Sequence, residues 1–325
     1  MTSDGTVVVV GGGVSGLTTG VTLLEAGLSV RLVAEEIPGR TSLAAGAMWG
    51  PYLVEPWKKV RQWSIVSLDA FRRLADNPAT GVRMTSGTEA ARHPMPAPEW
   101  SELLPGFRPS ALGDLPDGFE AGYHFTVPLI DMPVYLAYLQ DRFAEGGGVV
   151  ERRTLVSLDD VEDASVIVNC AGLGSAGLVP DPALRPIRGQ HVIVENPGIT
   201  EFFSEDTGMS PDLVCLYPHG DTVALGGTAV DDDGTLDLDE EAARAIVDRC
   251  AAIDPRVRGA RVVGHRMGAR PTRDEVRVEV AATTYRVPVI HNYGHGGAGV
   301  TLSWGCAEEV VGMVLTLRGP GTDGE

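Results

Sequence analysis

The sequence has few basic residues for its length and few cysteines. There are 26 lysines and arginines against 44 aspartates and glutamates, so the formal net charge is −18. A surface this acidic repels phosphate backbones and anionic lipid headgroups, and we therefore expect neither nucleic acid nor a membrane as a partner. The four cysteines form no Cys-x-x-Cys pair, which predicts a reduced, cytoplasmic protein with no disulfide framework and no metal site. They are Cys170, Cys215, Cys250 and Cys306.

Long apolar runs and a basic leader are missing as well. No uninterrupted apolar run reaches the ~18 residues that a membrane-spanning helix needs. Residues 1–6 include no basic residue of the kind that begins a secretory signal. The chain has 325 residues, of which 43% are hydrophobic, and this composition predicts a buried core and about two domain-sized units.

Glycine, by contrast, is abundant, with 41 residues, and the first cluster follows a short β-branched run at residues 7–10. Gly11, Gly13 and Gly16 have the spacing Gly-x-Gly-x-x-Gly. Apolar positions in residues 14–28 then recur every three or four residues, which is typical of a helix. Such a turn lets the backbone approach a pyrophosphate, which binds the free N–H groups at the start of the helix.

An acidic pair completes this unit. A second predicted strand at residues 29–34 ends at Glu35 and Glu36, about twenty residues after the glycines. A carboxylate at this position accepts hydrogen bonds from ribose hydroxyls, and Glu35 is the residue placed for that role. The order of strand, glycine turn, helix, strand and acid therefore predicts a dinucleotide site, although the motif does not distinguish FAD from NAD.

The loop that follows, at residues 39–52, is rich in small side chains. Small residues let the backbone approach a large planar ligand such as a flavin. A tightly packed loop without a ligand has the same composition, so this observation leaves both alternatives open.

A second glycine cluster lies near the end of the chain. Gly294, Gly296, Gly297 and Gly299 crowd the junction between a predicted strand and a predicted closing helix. The start of that helix has free N–H groups and a positive dipole end. In a flavoprotein it could meet the pyrimidine end of the ring, where negative charge develops on reduction.

The remaining patterns predict a mixed α/β chain. Predicted helices cover residues 55–76, 131–145, 239–253 and 300–317, and predicted strands cover residues 166–172, 191–195, 213–217, 223–227 and 287–292. Because the nucleotide elements occur at both ends and in the middle, we expect two interleaved domains. The first is a Rossmann-like cofactor domain of residues 1–53, 149–189 and 274–318. The second is an α+β substrate-binding domain on a mixed or antiparallel sheet, of residues 54–148 and 190–273, followed by a flexible tail at 319–325.

Six short motifs together resemble the D-amino-acid oxidase family of FAD enzymes, with its glycine oxidase relatives. The resemblance runs from residue 6 to about residue 317. The motif His-Asn-Tyr-Gly-His-Gly-Gly-Ala-Gly at 291–299 is the most specific one. The other motifs lie at 9–17, 44–53, 166–172, 188–190 and 268–271.

The resemblance implies an oxidase that binds FAD non-covalently. Members of the family oxidise a D-amino acid to its imino acid by hydride transfer from Cα to flavin N5. The imino acid hydrolyses to a 2-oxo acid and ammonia, and O2 reoxidises the flavin to yield hydrogen peroxide. The expected partners are therefore a small D-amino acid and O2, in a monomer or homodimer. Three alternatives remain: an oxidase of glycine, sarcosine or N-substituted amino acids, a flavin-binding protein without catalysis, and a dehydrogenase that passes its electrons to a quinone instead of O2.

The resemblance also implies roles for individual residues. Arg270 matches the arginine that holds the substrate carboxylate, and Gly297 matches the residue whose carbonyl accepts from the substrate amine. Tyr52 matches a tyrosine of the pocket lining. The positions expected to contact FAD are Gly11, Gly13, Val14, Ser15, Gly16, Glu35, Glu36, Thr41, Ser42, Ala45, Gly46, Leu155, Gly172, Gly268, Gly294, His295, Gly296, Gly297, Gly299, Val300 and Thr301.

The sequence departs from the family pattern at a second carboxylate-binding tyrosine. Aligned through Pro218, this position is Cys215, and Tyr217 follows two residues later on the same face of the predicted strand. Either Tyr217 substitutes for the family tyrosine or the pocket lacks that hydroxyl. The lid tyrosine of animal members has no match near Ser210 and Pro211. These departures leave the side-chain preference for the substrate open. The ending Gly-Thr-Asp-Gly-Glu lacks a peroxisomal signal, in keeping with a bacterial cytoplasmic protein.

Overall fold

The structure, a computed structural model, describes residues 5–51, 54–205, 212–282 and 285–319. Within these residues the chain forms fourteen strands and seven α-helices. The strands are β1 (Thr6–Val10), β2 (Val30–Ala34), β3 (Val82–Ala91), β4 (Arg108–Pro109), β5 (Ala121–Ile130), β6 (Val149–Arg152), β7 (Ala164–Asn169), β8 (Arg185–Glu195), β9 (Phe202–Glu205), β10 (Asp212–His219), β11 (Thr222–Thr228), β12 (Val230–Asp231), β13 (Val262–Val280) and β14 (Val289–His295). The helices are α1 (Val14–Glu25), α2 (Arg40–Leu43), α3 (Trp57–Leu74), α4 (Met132–Glu145), α5 (Ser175–Leu178), α6 (Glu240–Ile253) and α7 (Gly299–Arg318).

One end of the sheet is parallel and contains the predicted strand–helix–strand unit. Its strands follow the order β6, β2, β1, β7 and β14. Val7 and Val9 of β1 belong to the core cluster that includes α1 and α7, while Val8 and Val10 pack with Leu158 on the opposite face. A short β-branched run suits a strand that is buried on both faces, as the sequence indicates.

The other end of the sheet is mostly antiparallel. From β14 the order continues through β13, β8, β11, β10, β9, β3, β5 and β4. Helix α6 covers one face here, since Ile246 and Cys250 pack against Val192, Val194 and Leu225. Side chains alternate along a strand, so the residues between these apolar positions point to the opposite face. That opposite face carries the candidate substrate site.

Strand β13 joins the two parts, and the sequence analysis did not predict it. It is 19 residues long and pairs with both β8 and β14. Gly264, Gly268 and Pro271 interrupt its pattern, and glycine and proline are depleted in strands. Tertiary pairing on both sides therefore stabilises a strand that local propensity does not indicate.

Helix α7 packs in the core against α3. A Cβ on Gly305 would overlap the backbone of Trp63, so glycine is what lets the two helices touch. Among the described residues, Gly296–Arg318 is long and apolar enough to cross a membrane by length and composition, with 56% of its apolar window buried inside the protein. Burial of this kind is typical of a core helix of a globular protein.

The long predicted helices agree with the structure. α3, α4, α6 and α7 begin and end within two residues of the predicted bounds. β14 differs, since it extends to His295, three residues beyond its predicted end and into the glycine cluster. The predicted tail at 319–325 lies almost wholly outside the described residues.

Candidate active site

The first glycine turn lies at the carboxyl end of β1, where nucleotides bind in open parallel sheets. Gly11 has a φ of +118°, and a Cβ on Gly16 would overlap the carbonyl oxygen of Gly11. Only glycine therefore allows α1 to begin so close to β1. The N-cap residue Gly13 has no side chain to cap α1, and the amides of Ser15 and Gly16 have no partner within the helix. This cradle fits a pyrophosphate.

The small-residue loop folds over this cradle. The amide of Val14 donates to Ser42 Oγ at 2.9 Å, and the amide of Gly39 donates to the carbonyl of Gly12 at 3.0 Å. Ser42 is thus brought to the predicted site, but its hydroxyl already binds the first residue of α1. The loop and the glycine turn are thus hydrogen-bonded to each other and form one side of the predicted cofactor site.

The two acids after β2 are not equivalent. Glu36 forms an ion pair with Arg40 at 2.6 Å. Glu35 has no side-chain partner among the described residues, so of the two it is the one available to accept from ribose hydroxyls. Both side chains are exposed at the carboxyl end of the strand.

Two further predicted positions lie at the same edge of the sheet. Gly172 follows β7 with a φ of +57°, a conformation that favours glycine. Leu155 packs against the apolar cluster that includes Val10 and Val33, the residues near the ends of β1 and β2. The structure thus brings these positions to the cradle, although they are distant in sequence.

The second glycine cluster lies at the carboxyl end of β14. Gly294 and Gly296 have φ values of +82° and +53°. Thr301 ties α7 to the loop, because its hydroxyl donates to the Gly50 carbonyl at 3.1 Å and accepts from the Gly50 amide at 3.2 Å. Ser15 Oγ donates to the carbonyl of Asn292 at 3.2 Å, which joins the two glycine clusters.

Two residues of this cluster that were predicted to contact FAD, His295 and Val300, have buried side chains. His295 is buried, and its Nε2 lies 3.1 Å from Asn292 Oδ1. Burial lowers the pKa of His295 to about 4, so the ring is neutral. Val300 is buried in the core as well. For His295 and Val300, therefore, only backbone atoms can contact a ligand.

Arg270 lies beside Gly297, a member of the second glycine cluster. The Arg270 side chain crosses Gly189, where a Cβ would lie 2.6 Å from the guanidinium, and its Nη1 donates to the Thr228 carbonyl at 3.1 Å. A Cβ on Gly297 would lie 3.8 Å from Arg270 Cδ. Gly297 is exposed, so its backbone and the guanidinium can contact one small ligand.

The loop also packs on the strand that carries Arg270. Thr41 Oγ1 donates to the Ala269 carbonyl at 3.0 Å. A Cβ on Gly268 would lie 2.8 Å from Ala44 Cβ, so glycine is needed under the loop. Thr41 and Gly268, both predicted cofactor positions, thus meet in the structure.

Tyr217 and Cys215 share one face of β10, as the sequence predicts. The Tyr217 ring would lie 2.9 Å from a Cβ on Gly46, and its hydroxyl is 3.4 Å from Ser204 Oγ. Burial raises the pKa of Tyr217 well above its usual value, so the hydroxyl remains a donor. Burial also raises the pKa of the Cys215 thiol, which stays neutral.

His191 forms part of the pocket floor and was missed by the sequence analysis. Its Nδ1 lies 3.0 Å from the Ala44 carbonyl, to which it donates, and a Cβ on Gly46 would lie 3.3 Å from its Nε2. Burial, and after it the charge of Arg270, lowers the pKa of His191 to about 4. The ring is therefore a neutral acceptor at Nε2. A histidine directly before the apolar residues 192–194 is a signal that could have identified it.

One predicted pocket residue is not described. Tyr52 lies outside the described residues, as do Ser210 and Pro211 of the predicted lid position. Ala45, Gly13 and Gly299 lie in the walls already described, within or beside α2, α1 and α7 respectively.

Comparison with known proteins identifies the family of this chain. The sequence model of the FAD dependent oxidoreductase family matches residues 6–313. The chain belongs to this family. The D-amino-acid oxidase of Rubrobacter xylanophilus is 45% identical over 309 residues, covering 94% of each chain. That of Streptomyces coelicolor is also 45% identical over 309 residues, covering 94% of this chain and 95% of the relative.

Solved structures agree on the fold. Glycine oxidase from Geobacillus kaustophilus superposes with a TM-score of 0.80 at 18% identity, covering 99% of this chain and 97% of the other. The predicted fold class is thus confirmed, a Rossmann-like FAD-binding part interleaved with an α+β part on a mixed sheet.

As a member of the FAD dependent oxidoreductase family, the protein is an oxidoreductase with FAD as its cofactor. The residues present fit that group. The amides of Ser15 and Gly16 at the start of α1 suit the pyrophosphate, Glu35 suits the ribose, and the glycines of the second cluster leave room beside Arg270 for a flat ring.

Proposed function

We propose that the protein oxidises D-amino acids to 2-imino acids, which hydrolyse to 2-oxo acids and ammonia, with hydrogen peroxide formed from O2. The observation that carries this proposal is the position of Arg270 beside the exposed backbone of Gly297, in the second glycine cluster. Two relatives that are 45% identical and named D-amino-acid oxidase support it.

Arg270 is expected to bind the substrate carboxylate. A planar guanidinium can donate two parallel hydrogen bonds to a carboxylate, which fixes both position and orientation. Its bond to the Thr228 carbonyl and its path across Gly189 hold it in place before a substrate binds. The neutral Tyr217 hydroxyl is a second donor on the same face, and we propose that it takes the role of the tyrosine missing at Cys215.

The Gly297 carbonyl is expected to accept from the substrate amine. With carboxylate and amine both held, only one enantiomer directs its Cα–H toward the cofactor while its side chain enters the pocket. Bound FAD supplies the hydride acceptor and the route of two electrons to oxygen. The protein's contribution is orientation in a closed site, and it needs no side-chain base.

Anaerobic flavin bleaching tests the proposal. D-Alanine should bleach the flavin absorbance of the holoenzyme while L-alanine should not, and air should restore the colour with release of peroxide. Glycine and sarcosine belong in the same panel, since bleaching by these two alone would assign the narrower amine-oxidase activity instead. Flavin that stays oxidised with every D-amino acid would refute the proposal.

A variant of Arg270 separates catalysis from cofactor binding. Arg270→Leu should lower kcat/KM for D-alanine at least about a hundredfold, because a charge-assisted pair is lost, while FAD absorbance is retained. Arg261→Leu is the control, since Arg261 is exposed and pairs only with Glu195 among the described residues. A wild type without turnover would favour a non-catalytic flavin-binding protein.

Several further predictions remain proposals. We propose a cytoplasmic protein, a monomer or homodimer, with FAD bound non-covalently and with no nucleic acid, membrane or metal partner. The proposed domain boundaries at 189–190 and 273–274 fall within β8 and β13. The two domains would thus share long strands instead of being joined by linkers.

A further inference from the structure

The charges around the cofactor cradle are mostly negative. FAD carries a negative charge on each phosphate of its pyrophosphate, and Glu35 and Glu36 lie at the same end of the sheet. The chain as a whole has a net charge of −18, and such a field repels an anionic ligand. Residues 5–51, which form the glycine turn and the loop over it, contain two basic side chains, Arg31 and Arg40.

Arg31 is held at the edge of the sheet. Its Nη1 pairs with Glu151 at 2.6 Å, and its Nη2 donates to the Glu162 carbonyl. Arg152 donates to the Ile37 carbonyl at 3.3 Å, but its strand, β6, pairs with β2 on the side away from β1 and the glycine turn. Of these three arginines, Arg40 is therefore the one whose backbone lies at the cradle.

Arg40 extends from the side of the cradle. A Cβ on Gly39, the residue before it, would lie 3.3 Å from Gly13 Cα. Two residues after Arg40, Ser42 Oγ accepts from the Val14 amide at 2.9 Å. Arg40 is thus held between two contacts with the turn that begins α1, and consecutive Cα atoms are only about 3.8 Å apart. From this position an arginine side chain can reach a phosphate at the start of α1.

Glu36, the present partner of Arg40, is anchored at the same turn. A Cβ on Gly12 would lie 2.4 Å from the Glu36 carbonyl oxygen. The two side chains pair at 2.6 Å, with 42% of Glu36 and 64% of Arg40 exposed. Exposed ion pairs contribute little, because water and salt screen them. A phosphate can therefore compete with this carboxylate, since a guanidinium donates the same two parallel hydrogen bonds to either group.

We propose that Arg40 is a further cofactor-binding residue, and that its guanidinium exchanges the Glu36 carboxylate for the pyrophosphate of FAD. The pyrophosphate is then held from two sides, by the amides of Ser15 and Gly16 and by the guanidinium from the loop. Glu36 loses its partner but is exposed enough for water to replace it. This inference concerns the cofactor and does not depend on which substrate is oxidised.

Dilution of the holoenzyme measures the dissociation constant of FAD, because flavin fluorescence rises on release. At low salt Arg40→Gln should raise this Kd about tenfold. Arg40→Lys keeps the charge but loses the planar pair of donors, so it should raise the Kd less. Sodium chloride screens the contact, and the Kd of the wild type should therefore rise more steeply with salt than that of Arg40→Gln.

Glu36→Gln distinguishes cofactor binding from a structural role of the ion pair. It breaks the same pair but leaves Arg40 available, so it should hold FAD as tightly as the wild type or up to about fivefold more tightly. If the pair only stiffened the loop, both variants would lose affinity alike. Arg244→Gln is the matched control, because Arg244 is an exposed arginine of α6 that pairs with Glu240 at the same four-residue spacing. Its Kd should equal that of the wild type.

Two results would overturn the inference. One is a Kd for Arg40→Gln equal to that of the wild type, and the other is an equal loss of affinity in Arg40→Gln and Glu36→Gln. Either result leaves D-amino acid oxidation as proposed, since bleaching of the FAD-saturated enzyme tests that separately. Conversely, a holoenzyme with the expected FAD affinities that no D-amino acid bleaches would refute the proposed function and retain the role of Arg40.

Discussion

The guanidinium of Arg270 occupies the space above Gly189 that a side chain would otherwise fill. A Cβ built on Gly189 would lie 2.6 Å from both Nη1 and Nη2 of Arg270. The two residues lie on adjacent strands, β13 and β8. The arginine side chain can take this path only because Gly189 has no side chain of its own.

Gly189→Ala should therefore displace Arg270 without disturbing the fold. The atoms in the way belong to the end of a flexible side chain, so stability should change by less than about 1 kcal/mol. The KM for D-alanine should rise about tenfold, since the carboxylate loses an aligned partner. Gly264→Ala on β13 is the control, because nothing lies within 4 Å of its added Cβ. An unchanged KM for Gly189→Ala would contradict this account of Arg270.

Tyr217→Phe tests whether this hydroxyl replaces the one missing at Cys215. The ring keeps its packing against Gly46, so the fold should be unaffected. Loss of one hydrogen bond to a charged carboxylate should raise KM about tenfold. Cys215→Ser, a change on the same face of β10, should have a smaller effect. Kinetics in which Tyr217→Phe matches the wild type would show that the pocket works without this hydroxyl.

Gly16→Ala should weaken FAD binding strongly. The added Cβ would overlap the Gly11 carbonyl, which is backbone and cannot move aside. We expect the cradle at the start of α1 to open, with a loss of FAD affinity of at least about a hundredfold. Gly177→Ala is the control, because its Cβ would meet nothing within 4 Å. Titration of the apoprotein with FAD measures both, and equal affinities would contradict the proposed cradle.

Stability should fall in mild acid because of buried neutral histidines. Burial, and after it the charges of Arg266 and Arg83, lowers the pKa of His219 to about 3. In the unfolded chain this pKa returns to about 6.5. The unfolded chain therefore binds a proton as the pH falls below 6.5 while the native chain does not, so native stability is lost over that range and is restored as the pH rises.

A variant of His219 measures this contribution. Between pH 7 and pH 4, His219→Gln should lose less unfolding free energy than the wild type, by at most about 3 kcal/mol. Urea unfolding at the two pH values provides the comparison, with the exposed His93→Gln as control. The same pH dependence in His219→Gln and the wild type would show that this ring is not held neutral by the fold.

Local sequence determined the elements whose signals lie close together in the chain. The glycine turn between β1 and α1, the acids after β2 and the four long helices all follow from spacing and periodicity, because a turn or a helix is stabilised by neighbours a few residues away. The motif at 291–299, together with the five less specific motifs, was enough to indicate the family.

The substrate site depends on contacts that only the tertiary structure decides. β13 was not predicted, since its stability comes from pairing with β8 and β14, which precede and follow it in the chain. Likewise, the sequence places Glu35 for the ribose, but only the structure shows that Glu36 is occupied by an ion pair with Arg40. His191 and Ser204 carry no local motif. They share one face because pairing through β8, β11, β10 and β9 brings them into register, and such long-range pairing is not encoded in any short segment.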